Sequence, residues 1–236
     1  GSIGVVTLNI ARIGYQVKTK DGFLKKVGQL MDIAKSSLEV KRKVVERYTE
    51  RGLYPYSMYY LRAIKQSRGR YWANHFSTIG VNGFNEAMLN FMGKDLTKKP
   101  AIEFSQEILE FMRNKIADYQ EETGNLYNLE ATPAEGTSHR LARIDKKKFG
   151  NKIAFANKKR VIKDNAPPFY TNSSQLPVDA KTDIFEALNL QDQLQTKYTG
   201  GTVFHIFLGE RLNSCLLYTS DAADELDGVD LGGRRI

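Results

Sequence analysis

Residues 3–10 are almost continuously apolar and β-branched. That pattern predicts a strand buried on both faces, as in the parallel sheet of an α/β protein. Asp21-Gly22 reads as a turn. Beyond it Phe23, Val27, Leu30, Met31, Ala34 and Leu38 recur at helical spacing, and Val44, Val45 and Tyr48 continue the stripe in a second phase. One long helix or a broken pair fits this run, with Gly52 as its stop. Residues 54–60 are aromatic and interrupted by Pro55, which suggests a packed irregular segment. Residues 76–81 read as a short strand, Asn82-Gly83 as a turn, and residues 84–91 as a short helix ending at Gly93. Phe104, Ile108, Met112, Ile116 and Tyr119 mark another helix, starting near Glu103 or Ser105 and closed by Gly124. Residues 126–132 suggest a strand. Thr182 or Asp183 caps a helix running to about Tyr198, Gly200-Gly201 closes it, and residues 203–208 suggest a final strand. Strands alternating with helices favour an α/β sheet or barrel.

The 236 residues, 41% hydrophobic and 26% charged, are enough for a sizeable core without disulfides. No run of about 18 apolar residues suggests a membrane span, and the first residues lack the basic and small-residue marks of a signal peptide. A cytoplasmic location is expected. Opening inside a strand without a Met is expected of a segment of a longer protein. The single cysteine, Cys215, excludes an intrachain disulfide and a cysteine zinc site, and His75, His139 and His205 lack metal-pair spacing, so no metal site is expected.

The net charge is +8, unevenly placed. Residues 215–236 carry Asp221, Asp224, Glu225, Asp227 and Asp230 against Arg234 and Arg235, so the body is more basic still. A basic body suits nucleic acid or an enzyme handling polyphosphates. Tyrosines beside Arg62, Lys65, Arg68 and Arg70 could stack bases, or form a core edge with solvated cations. The basic run from Lys146 to Lys163 is equally a surface excursion. The tail has no helical or strand period beyond Leu217. Its words CLLYTSDAADE and VDLGGRRI resemble a translated sequencing-library adapter; a natural disordered acidic tail is the alternative. The expected division is a catalytic body, 1–214, and a disordered, non-native tail, 215–236.

The candidate chemistry centres on NLYNLEATPAEGTSHRLARIDKKKFG, residues 125–150. A strand there delivers Glu130, Ala131 and Thr132 to its C-terminal end. Pro133 and Gly136 bracket a tight turn with Thr137 and Ser138, and free amides and hydroxyls at a strand-to-helix turn can cradle an anion. The same pattern is also that of an ordinary capped turn.

GSIGVVTLNIARIGY (1–15), TIGVNGFNEAM (78–88), GNLYNLEATPAEGTSHRLARIDKK (124–147), PPFYTNSSQLPV (167–178) and LQDQLQTKYTGGTVFHIFLGE (190–210) together resemble the anaerobic, class III ribonucleoside-triphosphate reductases. The resemblance covers nearly all of residues 1–213, in five blocks in the family's order. It implies part of a ten-stranded α/β barrel of the glycyl-radical-enzyme type. In that family a glycyl radical, installed by an S-adenosylmethionine/iron–sulfur activase, passes to a cysteine inside the barrel. The thiyl abstracts the ribose 3′ hydrogen, the 2′ hydroxyl leaves as water, and formate supplies electrons in many members. The radical cysteine, the glycyl segment and a cysteine zinc site belong to blocks outside this chain, so no cofactor is expected within it and Cys215 has no catalytic role. The resemblance further implies a homodimer and no specific nucleic-acid partner. It places ribonucleoside triphosphate against Thr132, Pro133, Ala134, Glu135, Gly136, Thr137 and Ser138. Glu130 would face the ribose as a carboxylate able to accept a hydroxyl proton. Asn172, Ser173 and Ser174 form a second polar loop, and Asn85 and Glu86 a third candidate pair. A sibling formate-lyase-like acyltransferase is disfavoured by the wording of the 132–145 block. A basic, tyrosine-rich nucleic-acid-binding module is the alternative from another class.

Overall fold

The computed structural model describes residues 1–205, and Gly1–Phe204 forms one compact unit. The segment 206–236, including Cys215 and the acidic tail, lies outside the described residues. The fold is α/β. Three parallel strands, β1 (Ser2–Asn9), β2 (Phe76–Asn82) and β3 (Tyr127–Glu130), lie side by side in that order. Between β1 and β2 run α1 (Ile10–Gln16), α2 (Lys20–Glu50), α3 (Pro55–Tyr60) and α4 (Arg62–Arg68). Between β2 and β3 run α5 (Phe84–Met92) and α6 (Lys99–Thr123). After β3 come α7 (Glu135–Phe149), a 3-10 turn, α8 (Lys158–Lys163) and α9 (Ile184–Gln195).

Each strand has an apolar and a polar side. Leu8, Ile79, Val81, Tyr127 and Leu129 are buried against Phe23, Val27, Met31 and Leu38 of α2 and Phe104, Ile108, Met112 and Ile116 of α6. Burying one such side chain contributes roughly 1.5–3 kcal/mol, so this layer dominates the stability of the unit. Close approach of α1 to α5 requires Gly14, where an added Cβ would lie 2.3 Å from the Ala87 carbonyl. A smaller cluster of Ala11, Ala142, Ile153, Phe155, Val161 and Tyr170 ties α7 and α8 to the body.

Several expectations are corrected. β1 is not covered on both faces: it is an edge strand of the described sheet, and Val5 is 46% exposed. It ends at Asn9, whose side chain accepts the Arg12 amide and starts α1. Asp21-Gly22 is no turn but the first turn of α2, because the Thr19 hydroxyl accepts the Gly22 amide at 3.1 Å. The α2 run is one helix of 31 residues. Residues 54–60 are not a packed irregular segment. Pro55 opens the short α3, where its missing N–H costs nothing, and Tyr56, Tyr59 and Tyr60 stand in solvent. α6 begins at Lys99, earlier than its apolar stripe, with Pro100 in the first turn. Residues 203–205 are not strand, and the rest of that expected strand is outside the described residues.

No described helix is long and apolar enough to cross a membrane.

Candidate functional site: a polar sheet face ending at an uncapped helix

Parallel register puts Val5, Thr7 and Asn9 of β1 beside Thr78, Gly80 and Asn82 of β2, and Thr78 and Gly80 beside Asn128 and Glu130 of β3. Strand alternation places these residues on one side of the sheet, opposite the apolar layer. That side is almost wholly polar. Parallel strands usually carry apolar residues on both faces, so a hydroxyl-, amide- and carboxylate-bearing face needs polar partners. Gly80 is where the face is most crowded. A Cβ there would collide with the Thr132 hydroxyl and lie 3.3 Å from the Thr7 hydroxyl.

The far edge of β3 is covered by residues 199–201. Thr199 and Gly200 amides donate to the Leu129 carbonyl at 3.0 and 2.8 Å, and the Ala131 amide donates to Gly201 at 3.0 Å. The Gly200-Gly201 pair therefore lies alongside β3, with Gly201 beside Glu130. Glu130 is half-buried, and its carboxylate has no hydrogen-bond or ion-pair partner among the described residues.

The chain leaves β3 through Ala131, Thr132, Pro133 and Ala134 and enters α7. Ala134 sits in the left-handed region, φ 43°, and supplies no side-chain cap. The first intrahelical bond runs from the Ser138 amide to the Ala134 carbonyl at 2.7 Å, so the amides of Gly136 and Thr137 precede it without helical acceptors. Gly136 is exposed, with open space where a side chain would stand. Thr137 is half-buried with a free hydroxyl among the described residues. Ser138 differs. It is buried, its hydroxyl donates to the Tyr170 carbonyl at 2.5 Å, and it accepts the Tyr170 amide at 3.0 Å. Its hydroxyl is committed to the Tyr170 backbone and pins the next loop. Pro133 is exposed and shapes the turn.

The loop at residues 170–175 meets this turn. The Ser173 hydroxyl donates to the Thr132 carbonyl at 2.8 Å, and Asn172 bridges Asn82 at the end of β2. Ser173 itself is strained at φ 46°. Ser174 points elsewhere: its hydroxyl accepts from Tyr198 at 2.9 Å and its carbonyl from Gln191 at 3.0 Å. Asn172 is half-buried with its amide uncommitted among the described residues.

Asn85 and Glu86 do not join the turn directly. Glu86 is fully buried and accepts the Thr171 amide at 3.0 Å, the Thr171 hydroxyl at 2.7 Å and the Asn85 amide at 3.1 Å. Burial pushes its carboxyl up, against the pull of those donors. Asn85 accepts the Leu96 amide at 3.2 Å and borders a separate cleft of about 500 Å³, lined also by Lys158, Lys159 and Arg160. Glu86 therefore holds residue 171, and through it the loop carrying Asn172 and Ser173.

Two features escaped the sequence reading. Asp145, wholly buried on α7, accepts Asn9 at 2.7 Å, Arg12 at 2.6 Å and the Tyr170 hydroxyl at 2.7 Å. Burial, then the Asp145 charge, pushes the Tyr170 hydroxyl far up. Asn82 is also fully buried, and neither polar atom of its side chain has a partner among the described residues; nor has the Thr132 hydroxyl. The alternation T-I-G-V-N in residues 78–82 was the available signal for Asn82. Among the described residues no cluster of three His, Cys, Asp or Glu could hold a metal.

Comparison with known proteins gives the family. The model of the anaerobic ribonucleoside-triphosphate reductases matches residues 1–219. The Haemophilus influenzae anaerobic ribonucleoside-triphosphate reductase is 24% identical over 210 residues, covering 86% of this chain and 28% of that protein. The enterobacteria phage T4 reductase is 26% identical over 135 residues, covering 56% of this chain and 21% of its own. This chain thus spans under a third of the length of those relatives. Among solved structures, an anaerobic ribonucleotide reductase superposes with a TM-score of 0.70 at 25% identity, over 91% of this chain and 31% of that one. The Thermotoga maritima enzyme with MES in its active site gives 0.69 at 25% identity, over 95% and 35%. On these matches and the site's five sequence blocks, the chain belongs to the anaerobic ribonucleoside-triphosphate reductase family.

Proposed function

We propose that this chain forms part of the substrate-holding wall of an anaerobic ribonucleoside-triphosphate reductase. The observation that carries the proposal is a polar parallel-sheet face leading directly into an uncapped helix N-terminus. A triphosphate suits the Gly136 and Thr137 amides and the Thr137 hydroxyl, because anions are stabilised by the unpaired donors and positive dipole end of a helix. Glu130, unpartnered on the same face, stands where a ribose would lie behind those phosphates. Its carboxylate can accept and hold a hydroxyl proton. Thr132, Asn172 and Ser173 shape the space between. Ser138, Glu86 and Asp145 position these groups by fixing residues 170 and 171.

In this reading the described sheet is a sector of a ten-stranded barrel whose open β1 edge and 199–201 edge meet further strands. On the same reading the hydrogen-abstracting radical and any zinc belong to other segments of the whole protein. An activating enzyme and a second subunit are the expected partners of the whole protein.

The test is kinetic, in the full-length protein. Thr137→Val should raise the KM for ribonucleoside triphosphate several-fold with kcat little changed. Glu130→Gln should lower kcat more than tenfold with KM little changed. Unaltered kinetics in both variants would refute the assignment.

A further inference from the structure

Resting on the substrate reading above, we infer that Asn82 is a binding residue for a ribose hydroxyl, acting together with the Thr132 hydroxyl. Asn82 ends β2 on the polar face, two positions beyond Gly80 and beside Asn9 of β1. It is 0% exposed, yet its amide nitrogen and oxygen both lack partners among the described residues, as does the Thr132 hydroxyl. Leaving a buried polar atom unpaired costs about 1–3 kcal/mol. Three such atoms at the C-terminal ends of adjacent strands, where α/β folds place their ligands, are tolerated where a ligand completes the bonding. Gly80 supplies no side chain, so the Thr132 hydroxyl occupies space that any Cβ would take. The Asn172 bridge and the Ser173 bond to Thr132 close the loop over both residues.

The chemistry selects the ligand group. A phosphate oxygen only accepts, so it could satisfy the Asn82 amide N–H but not its carbonyl. A sugar hydroxyl both donates and accepts, as a carboxamide and a threonine hydroxyl both require. Phosphate is left to the α7 amides and ribose to Asn82 and Thr132.

Asn82→Leu separates a ligand group from a structural one. An internal structural Asn would leave its partners orphaned on substitution, lowering stability. An Asn waiting for ligand would not, because a buried polar group of similar shape is replaced by an apolar one. In the full-length protein the ligand-free melting temperature of Asn82→Leu is expected to equal or exceed wild type. Its affinity for the ribonucleoside triphosphate substrate is expected to fall at least about tenfold. Competitive inhibition by the 2′,3′-dideoxy analogue, which lacks the hydroxyls, is expected to change under threefold. Asn82→Ala, which cannot clash, should show the same loss of preference for the ribonucleotide over that analogue. A lowered melting temperature in both variants, or unchanged discrimination, overturns the Asn82 assignment alone. Wild-type protein that binds the ribonucleotide and the analogue equally overturns the Asn82 assignment alone, whereas wild-type protein that binds neither overturns the substrate reading and this assignment with it.

Discussion

Asp145→Ala should be the most damaging single substitution among the polar residues around the site. The carboxylate is 0% exposed and takes four close contacts: Asn9 Nδ2 at 2.7 Å, Tyr170 Oη at 2.7 Å, Arg12 Nε at 2.6 Å and a second guanidinium nitrogen at 2.6 Å. Removing it orphans the Tyr170 hydroxyl in a ring 1% exposed, at about 1–3 kcal/mol. The Asn9 amide adds up to about 1 kcal/mol. Arg12 loses its counter-charge, which in a fully buried pair costs about 3–5 kcal/mol. Its side chain is 30% exposed, however, so water recovers part of that. The expected total is about 3–5 kcal/mol, lowering the melting temperature of a unit this size by roughly 6–20 °C. Urea unfolding with a constant m-value is the assay. Tyr170→Phe alone should cost about 1–2 kcal/mol, but almost nothing further in the Asp145→Ala background, because both remove the same bond. A cost below about 1 kcal/mol for Asp145→Ala, or additive losses in the double variant, would refute the account of this cluster as the clamp between β1 and the 170–175 loop.

Ser138→Ala should cost about 1–3 kcal/mol in stability through the orphaned Tyr170 amide, while KM for nucleotide rises less than in Thr137→Val; the reverse ranking in steady-state kinetics would show that Ser138 meets the ligand. Glu86 sets a pH dependence. Its folded-state carboxyl is raised by burial above the ordinary value of 4.5, so the stability it contributes is complete below that pH and is lost as pH rises towards the folded value. Wild type should therefore weaken over that window relative to Glu86→Ala, whose melting temperature is lower throughout but flatter with pH; parallel pH profiles by differential scanning fluorimetry would contradict the assignment.

Much of this architecture was legible in the chain, for reasons specific to particular residues. The period of Phe23, Val27, Met31, Ala34 and Leu38 is a real core stripe. Gly124 and Gly93 adopt the left-handed φ their positions implied, and Asp183 caps α9 by accepting the Glu186 amide. Misreadings came where tertiary context outranks local signals. Asp-Gly is a turn pair only when no cap precedes it, and Thr19 supplies one. An aromatic run suggests a packed segment, yet α3 presents its tyrosines to solvent. The first strand looked two-sided because Ile3, Val5, Val6 and Leu8 are all apolar. Thr7 and Asn9 were the signal that one face is polar, and Thr78 and Asn82 occupy the same alternate positions of β2, with Gly80 between them.

The site itself was half legible, and the division has a physical cause. Composition and spacing can mark polar residues at a strand end, such as Glu130, Thr132 and Thr137, whose side chains have no partner among the described residues. They cannot distinguish an offered hydroxyl from a committed one. Thr137 and Ser138 are neighbours of the same chemistry, but one helical step of 100° turns Ser138 into the Tyr170 backbone while the Thr137 hydroxyl has no partner among the described residues. Nor can they reveal Asp145, seven residues further along α7, whose partners Asn9 and Tyr170 lie 136 and 25 residues away in sequence. What sequence order hides is that α7 faces two ways. Its first turn leaves the Gly136 and Thr137 amides without helical acceptors, and the buried side further along fixes the end of β1 and the 170–175 loop. A helix tied along its length holds its N-terminus in place, which is what the phosphate recognition proposed above would require.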